Sequence, residues 1–159
     1  MHHADDKSII NQREVGTDTV SYTRTLKRVL RQDPDIILIG EIRDSESAQI
    51  ALSAAETGHL VLSTLHTLDA TKTINRMIDL FPPHERAQAR AMLAGTFGGI
   101  VGQRLIRTKD GQGRVAVCEV MVATGRIRDF IMDPDQTGQI QTAISEGEYT
   151  GCRPSTRRS

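Results

Sequence analysis

Asp33-Pro34-Asp35-Ile36-Ile37-Leu38-Ile39-Gly40-Glu41-Ile42-Arg43-Asp44 is the stretch that decides the fold. Its run of four apolar residues, three of them β-branched, predicts a strand buried on both faces, as in a parallel sheet. Asp33 and Pro34 stop whatever precedes it, because proline lacks an amide donor and pushes the residue before it out of helix geometry. Gly40 and Glu41 close it. Open α/β sheets place their ligands at the carboxyl ends of their strands. On its own, Glu41 reads either as a solvated acid or as a ligand-facing group.

Thr57-Gly58-His59-Leu60-Val61-Leu62-Ser63-Thr64-Leu65-His66-Thr67 reads as a second buried strand. It follows a helix that stops at Gly58, the residue type best suited to a left-handed helix end. Its exit carries Ser63, Thr64, His66 and Thr67, all hydrogen-bonding side chains. A crossover helix over about 45–57 makes a βαβ unit, which is almost always right-handed. Glu41 and His66 are then expected at one rim. His59, at the start of the strand, is expected about 20 Å from His66 at about 3.3 Å per residue, too far for a shared metal.

The 159 residues suffice for one domain with a real core, and 20 basic side chains balance 20 acidic ones. No strong field argues for nucleic acid or a membrane surface. Cys118 and Cys152 have no paired spacing, so neither a zinc site nor a disulfide framework is indicated. His2 and His3 are adjacent but lack further nearby ligands, and no metal site is expected. No leader and no long apolar run is seen, and the chain reads as cytosolic.

Further along, Asp18, Thr19 and Ser21 offer caps for a helix over about 22–32, with Leu26, Val29 and Leu30 on one face. Its basic face reads as solvated surface. A helix from Asp69 to Asp79 places Ile74, Met77 and Ile78 inward, and another is expected over about 84–93. The glycines at 95, 98, 99 and 102 predict a tightly packed helix rather than a phosphate loop, because no Lys-Ser/Thr follows them. Strands at Leu105–Thr108 and Arg114–Val122 flank a turn at Asp110–Gly113. Alternation puts Cys118 on an apolar face, which predicts a buried, inert thiol. Helices are expected from Arg126 and over about 136–145.

DPDIILIGEIRD resembles the atypical Walker B segment of the secretion and type IV pilus ATPases, and AAETGHLVLSTLHT resembles their His box. INQREVG, ending at Gly16, is similar to the stretch after their Asp box. Arg126–Asp133 matches the AIRNLIRE segment of the retraction members at Ile127, Arg128 and Ile131, with Phe130 for leucine and departures at Met132 and Asp133. The resemblance spans about residues 5–151.

It implies an α/β fold: a RecA-like P-loop NTPase core lacking its N-terminal part, with a C-terminal β-hairpin and helices. The implied organisation is a partial ATPase domain over 1–123, a helical segment over 124–151 and an aberrant tail over 152–159. The implied catalytic residues are Glu41, which orients or deprotonates water, and His66, which senses or stabilises the γ-phosphate with help from His59. Arg13 and Arg76 are implied near the nucleotide; an exposed arginine is the other reading of Arg13. The implied cofactors of an intact protein are ATP and Mg²⁺. The implied assembly is a homo-hexamer on an inner-membrane pilus platform protein, at the cytoplasmic face, without nucleic acid.

No G-x-x-x-x-G-K-[ST] occurs in the sequence. The family places that loop upstream, so the chain is expected to be the C-terminal part of a longer ATPase. The terminal Cys152-Arg153-Pro154-Ser155-Thr156-Arg157 reads as a frameshift of the family's MQTFDQ. Two other functions stay open. One is a secretion or pilus-assembly ATPase, although the usual four-cysteine zinc insertion is not seen. The other is a non-catalytic module that docks on ring partners.

Overall fold

A computed structural model describes residues 8–12 and 22–147. The chain divides into two compact units between Asp35 and Ile36. The first holds helix α1 (Tyr22–Val29), which tightens into a 3-10 turn over Leu30–Gln32. Leu26 is buried, and Lys27 and Arg28 are exposed. The turn ends at Asp33 in the left-handed conformation, φ 51° and ψ 54°. Asp is one of the few L-residues that tolerates this region, and Pro34 bars Asp33 from continuing the helix.

The second unit opens with β1 (Ile36–Ile39), α2 (Ser45–Glu56) and β2 (Leu60–Ser63). The strands pair in parallel, Ile36 opposite Leu60 and Ile39 opposite Ser63. Asp44 caps α2 by accepting the Ser47 amide at 2.8 Å. Gly58 ends the helix region at φ +97°, which a side chain would resist. Ala48, Ile50, Ala51, Leu52 and Ala54 make the buried face of α2.

Burial on both faces of the strands is not what the structure shows. Ile37 and Ile39 are buried, but Ile36 and Leu38 are 58% and 72% exposed. Leu60 and Leu62, their partners on the same face, are exposed as well. The reason is the sheet itself: among the described residues it has two strands, and one crossover helix covers one face. A continuous apolar run marks a strand made for two-sided cover, but the run does not supply the second layer.

α3 (Ala70–Asp79) and α4 (Arg86–Thr96) follow, separated by buried Phe81 and the Pro82-Pro83 break. Asp69 caps α3 by accepting the Lys72 amide at 2.8 Å. β3 (Gly99–Arg107) and β4 (Arg114–Val122) then form an antiparallel hairpin, Gly99 opposite Val122 and Arg107 opposite Arg114. The expected glycine-rich helix is therefore a strand over most of its length. Close approach is indeed why glycine stands there: a Cβ on Gly99 would lie 2.8 Å from the Met121 carbonyl oxygen across the ladder.

Cys118 corrects a second expectation, because it is exposed rather than buried. It does share a face with Val101, Val120 and Val122, but Met121 and Glu119 on the opposite face are the buried ones. Alternation tells which residues go together and not which set meets the core.

The chain ends, among the described residues, with α5 (Gly125–Met132), a 3-10 turn at Thr137–Gln139 and α6 (Ile140–Glu146). Met121, Ile127, Ile131, Ile140 and Ile144 are essentially inaccessible to solvent. Ile131→Ala is expected to cost about 2–5 kcal/mol in urea unfolding, the range for a large-to-small core change. Leu38→Thr, on the uncovered face, is expected to change stability by less than about 0.5 kcal/mol.

Candidate functional site

Parallel pairing sends the exits of β1 and β2 off the same edge of the sheet. The pairing does not stop where the strands do. Thr64 Oγ1 donates to the Gly40 carbonyl at 2.5 Å, and the Ile42 amide donates to the Thr64 carbonyl at 3.3 Å. The two exit loops are thereby tied together. Glu41 and His66 project from them, with Glu41 Oε1 3.6 Å from His66 Nε2.

Arg43 completes the group. Its Nε and Nη2 lie 2.7 and 2.5 Å from Glu41 Oε2, so one carboxylate oxygen takes both donors. The Glu41 side chain is 23% exposed, against 76% for Arg43 and 85% for His66. An acid therefore sits below two more exposed groups, one cationic and one able to become so. The hydrogen bonds from Arg43 hold the Glu41 carboxyl below its ordinary value against the opposing effect of desolvation, and the charges of Arg43 and His66 add to this. Glu41 in turn pushes Arg43 further up.

The loop that carries His66 is anchored from the hairpin. Arg104 Nε donates to the Leu68 carbonyl at 2.7 Å. Glu119, buried on β4, accepts the Ala70 amide at 2.8 Å and the Gln141 side chain at 3.2 Å. A carboxylate at a helix N-terminus meets unpaired amides and the positive end of the helix dipole.

His59 stands apart from this group. Its Nδ1 is 3.1 Å from the Ala54 carbonyl oxygen and 3.0 Å from Thr57 Oγ1, at the carboxyl end of α2. A carbonyl only accepts, so the hydrogen bond places the proton on Nδ1. His59 precedes β2 and His66 follows it, and each ring has its own partner, the Ala54 carbonyl for His59 and Glu41 for His66. Arg76 is exposed on α3, opposite buried Ile74 and Ile78, and makes no hydrogen bond or ion pair among the described residues. Arg13, like His2 and His3, lies outside the described residues.

Ile127 and Ile131 are core residues. Arg128 Nη2 donates to the Phe97 carbonyl at 2.8 Å, and its Nη1 donates to the carbonyls of Ala94 and Gly95. These are the unpaired carbonyls at the end of α4, where a cation also meets the negative end of the helix dipole. Arg90 of α4 reciprocates, donating to the Ile131 carbonyl at 2.9 Å in the last turn of α5.

Sequence reasoning misses Arg43, Arg104 and Glu119, and takes Thr64 only as one of several polar side chains at the strand exit. Arg43 had a visible signal, a cation two residues after the acid in a strand exit. Glu119 had one too, a lone acid on an alternating apolar face. Nothing along the chain announces that Thr64 and Arg104 reach carbonyls 24 and 36 residues away.

As for Mg²⁺, no group of three or more His, Cys, Asp or Glu able to hold a metal occurs among the described residues. Both Glu41 oxygens already face Arg43 or His66, which repel a further cation. These residues alone do not fit a resident metal.

A sequence profile for the family described as "Type II/IV secretion system protein" matches residues 5–158. The chain is similar to the "Type IV pilus retractation ATPase PilT" of Pseudomonas aeruginosa, 48% identical over 149 residues, covering 94% of this chain and 43% of that protein. It is also similar to a "Twitching motility protein" of Neisseria gonorrhoeae, 44% identical over 149 residues, covering 94% of this chain and 40% of that one. Among solved structures, a pilus retraction motor PilT with bound ADP superposes with a TM-score of 0.76 at 40% identity, over 93% of this chain and 45% of that chain. The ATPase DotB of Legionella pneumophila gives 0.74 at 27% identity, over 92% and 43%. The fold is that of an α/β ATPase segment, and the chain spans less than half the length of these relatives.

Arg43→Gln removes the principal cause of the low Glu41 value. The Glu41 carboxyl, followed by ¹³C NMR across an acid titration, is expected to titrate at higher pH in that variant than in the parent. An unchanged midpoint would show that the contact is not held in solution.

Proposed function

The chain belongs to the type II/IV secretion system protein family, and from that premise we propose that it carries the hydrolytic rim of a ring-forming ATPase that drives type IV pilus retraction. The observation that carries this reading is the convergence of Glu41 and His66 at 3.6 Å on one sheet edge. Mg-ATP is the substrate. Glu41 orients the attacking water and accepts its proton as the oxygen bonds to the γ-phosphorus; the β–γ bridging oxygen leaves with ADP. His66, beside Glu41 and largely exposed, donates toward the γ-phosphate oxygens and stabilises their charge.

In this reading Arg76 and Arg13 serve nucleotide phosphates, from this protomer or across a ring. His59 contributes from a distance, by fixing the junction of α2 and β2 that aims His66. Ile127, Arg128 and Ile131 act by locking α5 onto α4, so that the C-terminal helices move as one body. A homo-hexamer at the cytoplasmic face of the inner membrane, working on a pilus platform protein, is the assembly that suits this role. Among the described residues no helix is long and apolar enough to cross a membrane.

A second reading has its own support. With no G-x-x-x-x-G-K-[ST] in the sequence, nothing here supplies the backbone cradle and lysine that hold the β and γ phosphates. Residues 1–159 alone would then be a docking module without turnover. Isothermal titration of that chain with Mg-ATP is expected to show no micromolar binding; tight binding with hydrolysis would overturn this second reading.

In a full-length motor containing this segment, Glu41→Gln is expected to lower turnover by about 10²–10⁴-fold, the worth of a general base, while ATP binding survives. Undiminished hydrolysis by that variant would remove Glu41 from the mechanism.

A further inference from the structure

Resting on the hydrolytic role of Glu41, we propose that Arg43 is a positioning residue that occupies Glu41 until the terminal phosphate of the nucleotide draws it away. A base must offer a lone pair to the proton it takes. Arg43 spends two donors on Glu41 Oε2, at 2.7 and 2.5 Å. The other oxygen faces His66 Nε2 at 3.6 Å. In this arrangement the carboxylate has one oxygen doubly engaged and the other overlooked by an imidazole. It is also a weaker base than usual.

The same geometry shows which part is free to move. Ile42, between the two residues, has a buried side chain, and its amide is bonded to the Thr64 carbonyl at 3.3 Å. Asp44, on the other side, is committed to capping α2. The backbone beneath Glu41 and Arg43 is thus pinned at both ends. What remains mobile is the long Arg43 side chain, 76% exposed. Its Nη1 makes no hydrogen bond among the described residues, so part of the guanidinium fork already points to solvent. A guanidinium binds phosphate in the same two-donor manner as carboxylate, and a terminal phosphate carries more charge. Arrival of Mg-ATP would therefore transfer Arg43 from Glu41 to the γ-phosphate oxygens. That movement frees Oε2 for the water and lifts the restraint that Arg43 places on the basicity of Glu41 when substrate is present.

Among the described residues, the charged or titratable groups facing Glu41 are Arg43 from its own loop and His66 from the loop after β2. The test uses a full-length motor containing this segment, compared with its Arg43→Gln, Arg43→Lys and Glu41→Gln variants over a range of pH. The profile of kcat/KM reports the free enzyme and that of kcat reports the nucleotide-bound one. The expected result for Arg43→Gln is an acid limb of kcat/KM displaced to higher pH and an unmoved acid limb of kcat. KM for ATP should also rise by about tenfold or more, the loss of one charge-assisted hydrogen bond. Arg43→Lys, which keeps the charge and loses the fork, should shift the same limb by less; if Arg43→Gln fails to assemble, an unshifted limb in Arg43→Lys overturns the proposal. A fixed structural partner would move both limbs together, and an irrelevant one would move neither; either result overturns the switch. If Glu41→Gln keeps full turnover, the hydrolytic reading itself falls and the switch with it. If Glu41→Gln is inactive but the two limbs behave alike, the hydrolytic reading stands and the switch alone is refuted.

Discussion

Two hydrogen bonds beyond the strands hold the site together: Thr64 Oγ1 to the Gly40 carbonyl and the Ile42 amide to the Thr64 carbonyl. Parallel strands have evenly spaced, slanted bonds and no connecting turn to fix their exits. Without such a tie, loops leaving adjacent strands diverge. Here a threonine hydroxyl stands in for a missing backbone donor and carries the ladder one step further. Glu41 and Arg43 on one loop and His66 on the other inherit their spacing from it. A valine at 64 would keep the shape and the strand propensity but not this bond.

The rim is also braced from below. Glu119 brings a buried carboxylate to the first amide of α3, just after the His66 loop, and Gln141 of α6 shares it. A carboxylate so enclosed is tolerable only because donors surround it. Arg104 grips the neighbouring Leu68 carbonyl from the hairpin. Arg90 and Arg128 then cross between α4 and α5, each satisfying carbonyls at the end of the other's helix. Charge at these points completes hydrogen bonding that the helix ends lack by construction. Through these bonds the hairpin and α6 hold the start of α3, while a separate pair of arginines joins α4 to α5.

Much of this architecture could be read along the chain. Pro34 and Gly58 bracket their elements by backbone chemistry that any neighbour would respect, and Asp44 and Asp69 announce helix starts for the same reason. The joint placement of Glu41 and His66 followed from the parallel unit. What escaped depends on partners distant in sequence. Whether Ile36, Leu38 or Cys118 meets solvent is decided by which layer lies beyond, and apolar character is silent on that. Gly99 and Gly102 hid a strand because glycine weakens the alternation, although a close cross-strand carbonyl explains it at Gly99. The arginine of the retraction-type segment read as a functional residue, and its contacts turn out to be helix-end carbonyls.

The proposed hydrolytic role makes Glu41 and His66 one unit, brought together by the paired loops. A double-mutant cycle on ATP turnover tests this most directly, using Glu41→Gln, His66→Ala and both together in a full-length motor containing this segment. Residues that act together give non-additive losses. The double variant is expected to be scarcely slower than the worse single variant. Losses that multiply independently would contradict it.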